Sequence, residues 1–269
     1  LFSVAHPKQA SLKKLAFVVA SKMIAEAYMR FFVGLHQPSD AKNFSASFVS
    51  VNRIRDRKSS FEIGDWIMDS GAFTEVSTHG RYRHSVEEYA EQIRRWKDNG
   101  NLLAAVSQDY MCEPFIVEKT GLSVAEHQAL TIERYDTLLT CNTGVLIMPV
   151  LQGFHPDDYV RHIRMYGERL KPGMWVGVGS VCKRNGNIRA IEDVLLTIHR
   201  ERPDLRLHGF GLKTTALSSG LVQELLHTAD SMAWSFAARI SGRNGNDWRE
   251  ARDWSNRITS RAVQMPMFV

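Results

Sequence analysis

Cysteine is scarce: three residues (Cys112, Cys141, Cys182) in 269, with no Cys-x-x-Cys pair. This excludes a disulfide framework and a zinc knuckle, and it points to a reducing, cytoplasmic setting. Long apolar runs are missing too. Lys22, Glu26 and Arg30 interrupt the richest stretch well short of the ~20 residues a membrane span needs. Lys13 and Lys14 before the apolar residues 15–20 have a faint signal-peptide look, but helical periodicity continues through Tyr28 and favours a helix of the mature protein. No G-x-x-x-x-G-K-[ST] occurs, which excludes a P-loop. Gly177-Val178-Gly179 lacks the third glycine of a dinucleotide fingerprint, Cys182 standing in its place. Repeats and low-complexity tracts are absent, so nothing divides the chain.

What is present is ordinary for a globular protein: 44% hydrophobic and 23% charged residues, with a length that suits a single α/β barrel over 1–269. The net charge is +5, compatible with a polyanionic partner without demonstrating one. Arg53, Arg55, Arg57 and Lys58 form one basic stretch. Arg239, Arg243, Arg249, Arg252, Arg257 and Arg261 crowd the other end. The two segments either flank one face or are solvated helix surfaces.

Short apolar runs alternate with amphipathic stretches. Strands are expected at Phe31–Leu35, Ser47–Val51, Trp66–Asp69, Leu103–Gln108, Val145–Leu151, Trp175–Gly179, Leu207–Leu212 and Ser231–Ser235. Helical stripes run through Leu12, Leu15, Val19 and Met23, and through Val86, Tyr89, Ile93 and Trp96. Further helices fit Val124–Leu139, Asp157–Leu170, Ile188–Arg200, Leu217–His227 and Asp247–Val263, and Ser123 with Glu126 reads as a capping box. Eight strands in this alternation predict a (β/α)8 TIM barrel with an N-terminal and a C-terminal helix, ahead of a doubly wound open sheet.

Barrel active sites lie at the C-terminal strand ends. Those ends read His36, Arg53, Asp69, Asp109, Gln152, Ser180, Lys213 and Asp230. Each Asp or Ser can also be a turn or helix cap. Two carboxylates facing one pocket suit displacement at an anomeric carbon, one attacking and one moving a proton. A third carboxylate with a glutamine amide can read a purine edge. Lys213 opens a competing chemistry, since a lysine in apolar surroundings can form a Schiff base in a lyase. A third reading is a non-catalytic barrel that only binds nucleic acid. His208, inside an apolar strand, reads as a core histidine. Cys112 and Cys182 read as inert thiols, and Trp66, Trp175 and Trp234 as packing residues. Phe73 or Tyr110 is the better candidate for stacking on a base.

Six ordered segments carry a resemblance: Met68-Asp69-Ser70-Gly71-Ala72-Phe73-Thr74-Glu75, Gln108-Asp109-Tyr110-Met111-Cys112-Glu113-Pro114, Pro149-Val150-Leu151-Gln152-Gly153, Val176-Gly177-Val178-Gly179-Ser180-Val181-Cys182, Leu207-His208-Gly209-Phe210-Gly211-Leu212-Lys213, and the stretch from Ala229-Asp230-Ser231 to Ala238-Arg239. Together they resemble the tRNA-guanine transglycosylase superfamily, and more closely its DNA-modifying DpdA-type branch. The resemblance implies a (β/α)8 barrel that exchanges guanine in DNA for a 7-deazaguanine such as preQ0. It implies Asp230 as nucleophile, Asp69 as acid/base, and Asp109, Gln152, Gly177 and Gly179 as base-binding residues. Ser70, Gly71, Phe73, Gly153 and Lys213 join the substrate-binding set, and Arg53, Arg55, Arg239 and Arg243 are assigned to the nucleic acid. The zinc motif and the appended RNA-binding domain of the tRNA-acting relatives have no counterpart. The expectation is therefore no metal or other cofactor and DNA as substrate, with tRNA as the alternative. A homodimer and partner modification proteins are compatible with the family, though no sequence feature demands either.

Overall fold

The computed structural model describes residues 29–184 and 186–263. The expected N-terminal helix through Leu12 and Met23 lies outside the described residues. The strands are β1 (Arg30–Gly34), β2 (Ala46–Ser50), β3 (Asp65–Asp69), β4 (Asn101–Val106), β5 (Ile147–Met148), β6 (Val150–Leu151), β7 (Trp175–Val178), β8 (Arg206–Gly209) and β9 (Thr228–Ser231). Every pair is parallel, in the order β5-β4-β3-β2-β1-β9-β8-β7-β6. The sheet is nearly closed, because its two outermost strands are separated in the chain by Pro149 alone.

The helices are α1 (Ala72–His79), α2 (Val86–Trp96), α3 (Pro114–Thr120), α4 (Val124–Thr140), α5 (Pro156–Tyr166), α6 (Ile188–Glu201), α7 (Thr214–Leu217), α8 (Gly220–Leu225), α9 (Ala233–Ile240) and α10 (Trp248–Val263). α2 shows why they form. Ser85 and Glu88 make a reciprocal capping box, and the stripe Val86, Tyr89, Ile93 and Trp96 is buried as its spacing demands. The Tyr89 hydroxyl donates to the Val106 carbonyl at 2.9 Å, tying the helix to β4. The capping box expected at Ser123 and Glu126 opens α4.

Four expectations need correction. Nine hydrogen-bonded strands replace eight: Pro149 has no N–H and splits the expected strand at Val145–Leu151 into β5 and β6. The last strand lies earlier than Ser231–Ser235, and the chain from Ala233 is helical, burying Trp234 and Ser235 on one face of α9. The helix expected at Leu217–His227 is two short ones, α7 and α8, with Ser219 capping the second. β2 ends at Ser50, and a 3-10 turn over Val51–Arg53 carries Arg53 away from the strand end.

Two apolar shells hold the barrel. Phe32, Ala46, Ile67, Ala104, Val106, Met148 and Val150 fill its interior. A larger shell, including Trp66, Met68, Tyr89, Ile93 and Tyr159, packs strands against helices. Among the described residues, no helix is long and apolar enough to cross a membrane.

Ile93→Ala should cost about 2–5 kcal/mol of stability through the cavity it leaves between α2 and the sheet. Glu91→Ala, on the exposed face of the same helix, should stay within about 0.5 kcal/mol. Denaturant unfolding of the two variants checks the contrast.

Candidate active site

Strand pleating places the site. Ile67 points into the barrel, so Asp69, two residues on, does as well; Val150 likewise sets Gln152 on the inner face. The same rule carries Phe48 to Ser50, Gly177 to Gly179, and Thr228 to Asp230. At the strand ends the interior thus changes from apolar to polar around a cavity of ≈ 280 Å³, lined by Ser50, Asp69, Asp109, Glu113, Gln152, Gly179 and Asp230 and rimmed by Phe73. This is near the ~300 Å³ lower end of small-molecule pockets, room for one heterocycle.

Asp230 is buried, and its Oδ1 faces two donors: the Gly211 backbone N–H at 3.0 Å and His208 Nε2 at 3.3 Å. The Trp175 indole N–H donates to Thr228 Oγ1 at 2.7 Å, and that hydroxyl lies 2.8 Å from His208 Nδ1. With the Thr228 hydroxyl donating to Nδ1, the imidazole proton sits on Nε2 and points at the carboxylate. The ring is clamped between Phe48, stacked at 5.6 Å, and Phe210, edge-on at 4.7 Å. Neither Asp230 oxygen is drawn into an Arg or Lys ion pair among the described residues.

Asp69 accepts from the Ser50 hydroxyl and from the backbone N–H groups of Gly71 and Ser70. Gly71 adopts φ +78°, the left-handed conformation that turns the chain sharply into α1 beneath that carboxylate. Burial, followed by the nearby Asp230 charge, pushes the Asp69 carboxyl up to about 6. A group so poised both gives and takes protons near neutrality.

In the same cavity, the Gln152 side-chain amide donates to Asp109 Oδ2 in a short contact, and Ser180 Oγ lies 2.7 Å from Gln152 Oε1. Gln152 is itself held from behind. His162 Nδ1 accepts its backbone N–H at 2.8 Å, and Gln128 Nε2 donates to its carbonyl at 2.7 Å. Burial pushes His162 down to about 3, so it remains neutral and able to accept. Burial pushes Asp109 up to about 7, with the Asp69 and Glu113 charges adding and the Gln152 hydrogen bond opposing. Gly179 has no room for a side chain, since a Cβ there would lie 2.1 Å from Gln152 Nε2.

The structure therefore brings together Asp69, Phe73, Asp109, Gln152, Gly179 and Asp230. Ser70 is buried just below the cavity, 3.4 Å from the Tyr82 hydroxyl. Gly177 and Gly153 serve close packing, against Phe210 and against Asp158 and Tyr159. Lys213 is exposed and not among the lining residues. Tyr110 is packed between Tyr82 and His127, away from the cavity, which leaves Phe73 as the accessible aromatic. Trp66 and Trp234 are buried as packing residues. Arg53 and Arg239 both press on His36 electrostatically, so the two basic segments converge beside β1. Arg55 is half-buried near Glu75 and Glu88, and Arg243 pairs with Glu250 at 2.7 Å. Ser50, Glu113 and the His208–Thr228 pair are lining or supporting residues that strand-end reading passes over. Two-residue pleat spacing from Phe48 and from Asp230 would have found Ser50 and Thr228.

Two outcomes follow from this geometry. In Gly179→Ala the new methyl must push the Gln152 amide off Asp109, so the Asp109 carboxyl should titrate above about 7, as followed by carbon-13 NMR of labelled aspartate. For Asp69, the folded pKa of about 6 lies above the ordinary 3.8. Its favourable contribution is complete below the lower value and is lost as pH rises through the higher one. Asp69→Asn removes that loss. Its stability relative to wild type should rise by roughly 1–3 kcal/mol between about pH 4 and pH 7 in denaturant unfolding, and a flat difference would contradict the assignment.

Comparison with known proteins gives two results. No curated protein matches the chain. The family model described as DpdA, DeoxyPurine in DNA protein A, matches residues 28–263, a span that includes every strand and the whole cavity wall. The chain belongs to the DpdA family.

Proposed function

We propose that this protein is a DNA-guanine transglycosylase that exchanges guanine in DNA for a 7-deazaguanine base such as preQ0. The observation that carries the reading is what one base-sized cavity gathers: Asp69 at the end of β3, Asp230 in β9, and the hydrogen-bonded Asp109–Gln152 pair from the chain just past β4 and β6. Counting β5, Pro149 and β6 as one broken strand makes the barrel eight-stranded, in keeping with the transglycosylase type.

The reaction runs in two displacements. Asp230 attacks C1′ of the target nucleotide while the C1′–N9 bond breaks, and Asp69 gives its proton to the departing guanine. The carboxylate left on Asp69 then takes the N9 proton of the incoming base, whose nitrogen attacks C1′ and releases Asp230. His208 and Gly211 hold Asp230 in line for both steps. Asp109 accepts from the N–H groups of the purine edge, and Gln152, once released from Asp109, donates to the ring carbonyl. Phe73, half exposed at the rim, offers a stacking face for the extruded base. Extrusion costs a few kcal/mol, which phosphate contacts by Arg53 and Arg239 help to offset. The Schiff-base reading gains no support, because exposed Lys213 lacks the apolar surroundings that chemistry needs.

Nucleoside mass spectrometry after incubation with preQ0 and duplex DNA tests the proposal. A 7-deazaguanine deoxynucleoside is expected, reduced about a thousandfold or more in Asp230→Asn. Product from tRNA alone would overturn the DNA assignment, and no product from either would overturn the exchange.

A further inference from the structure

Phe236 and Ile240 are the two most exposed large apolar side chains among the described residues, at 59% and 72%. Four residues apart on α9, they stack along one side of the helix. Met232, at the N-cap of α9, stands four residues before Phe236 and lines the cavity. Met232, Phe236 and Ile240 therefore form a ridge that starts at the cavity and runs outward, each step rising about 6 Å. Scattered apolar residues are common on protein surfaces, but a ridge continuous with a ligand cavity marks a face that a partner covers.

The surroundings of the ridge identify the partner. Strands β3, β2, β1 and β9 are consecutive in the barrel, so the segments leaving their C-terminal ends form one arc of its mouth. Along that arc come Phe73 after β3, Arg53 after β2, His36 after β1, and Phe236 with Arg239 after β9. The arc is fastened internally: the Asn52 amide packs on Gly71, and His36 Nε2 lies 2.7 Å from Ser235 Oγ of α9. Burial, and then the charges of Arg53 and Arg239, lower the His36 imidazole, so both guanidinium groups act on one ring. Arg243 and Arg249 pair with Glu250 and Asp247. Arg53 and Arg239 are exposed, and neither pairs with a carboxylate among the described residues. Exposed cations beside an apolar ridge suit a polyanion with an apolar interior, which describes duplex DNA, phosphates outside and stacked bases within. A second copy of this chain, with its own net charge of +5, would set like charges against each other on this face.

Resting on the transglycosylase reading, we propose that Phe236, braced by Ile240, is a wedge that enters the base stack of duplex DNA at the step the target nucleotide has left, with Arg239 and Arg53 on flanking phosphates. Attack by Asp230 requires the target base to leave the stack, and Met232, two residues on, is where the ridge begins. The Phe236 ring replaces part of the stacking that the neighbouring bases lose, which prolongs the extruded state. It is a positioning residue, touching neither the reacting base nor C1′. Its work exists only when there is a duplex to open.

That last property supplies the test. Exchange of radiolabelled guanine is measured with the full chain on the same sheared DNA, as native duplex and after heat denaturation. Phe236→Ala should slow exchange into duplex at least about tenfold and leave exchange into denatured DNA within about twofold of wild type. Phe236→Leu, which keeps an apolar wedge, should retain duplex exchange to within about threefold. An equal loss on both DNA forms, or no loss on either, would overturn the proposal. So would wild-type exchange confined to denatured DNA, a result that leaves the transglycosylase reading intact. Sedimentation of wild type and Phe236→Ala without DNA covers the other occupant: a dimer that the substitution splits would make this face a subunit interface and overturn the wedge. Absence of wild-type exchange into either DNA form would remove the transglycosylase reading itself, and the wedge with it.

Discussion

Each barrel strand turns alternate side chains inward, and the whole site depends on that two-residue repeat. Low on the strands the inward positions are Phe32, Ala46, Ile67, Ala104, Val106 and Val150, an apolar plug. One step further along the same faces stand Asp69, Gln152, Gly179 and Asp230. The register of the strands therefore fixes which polar groups meet, and a one-residue slip would send each of them into the helix layer. Glycine completes the arrangement where side chains cross the barrel: Gly177 yields to Phe210, and Gly179 yields to the Gln152 amide.

Gathering carboxylates in a small cavity is electrostatically costly, and the structure manages the cost in two different ways. Asp69 and Asp109 are pushed toward neutrality by burial and by neighbouring negative charge, so both hold protons close to working pH. Asp230 instead receives the Gly211 N–H and the His208 imidazole, with the histidine tautomer set by Thr228 and Trp175. This asymmetry divides labour in the proposed reaction between a proton carrier and a nucleophile held by neutral donors. Gln152 is fixed from behind, where neutral His162 and Gln128 grip its backbone.

Much of this was legible in the sequence, for a physical reason. Polar residues that end apolar runs are conspicuous, and barrel topology sends them to one mouth; Asp69, Asp109, Gln152 and Asp230 were found that way. Arg53 misled because the strand stops at Ser50 and a 3-10 turn intervenes. The Ser231–Ser235 run misled because its apolar residues serve a helix face, with Trp234 donating to the Gly34 carbonyl from α9. Pro149 was visible, but its effect on strand count depends on partners that the local sequence does not name. Glu113 and His208 were hidden for a different reason. A glutamate before Pro114 reads as a cap and a histidine in an apolar strand as core, and only the neighbours Ser180 and Asp230 give them other work.

The central claim is that an aspartate forms a covalent bond to the sugar of a flipped guanine nucleotide. The most direct test is to quench the protein with guanine-containing DNA under denaturing conditions, without an incoming base, and to map any cross-linked peptide by mass spectrometry. The account predicts a DNA–protein adduct on the peptide containing Asp230, released by added guanine or 7-deazaguanine and absent in Asp230→Asn. An adduct on another residue, or exchange that proceeds at wild-type rate in Asp230→Asn, would contradict it.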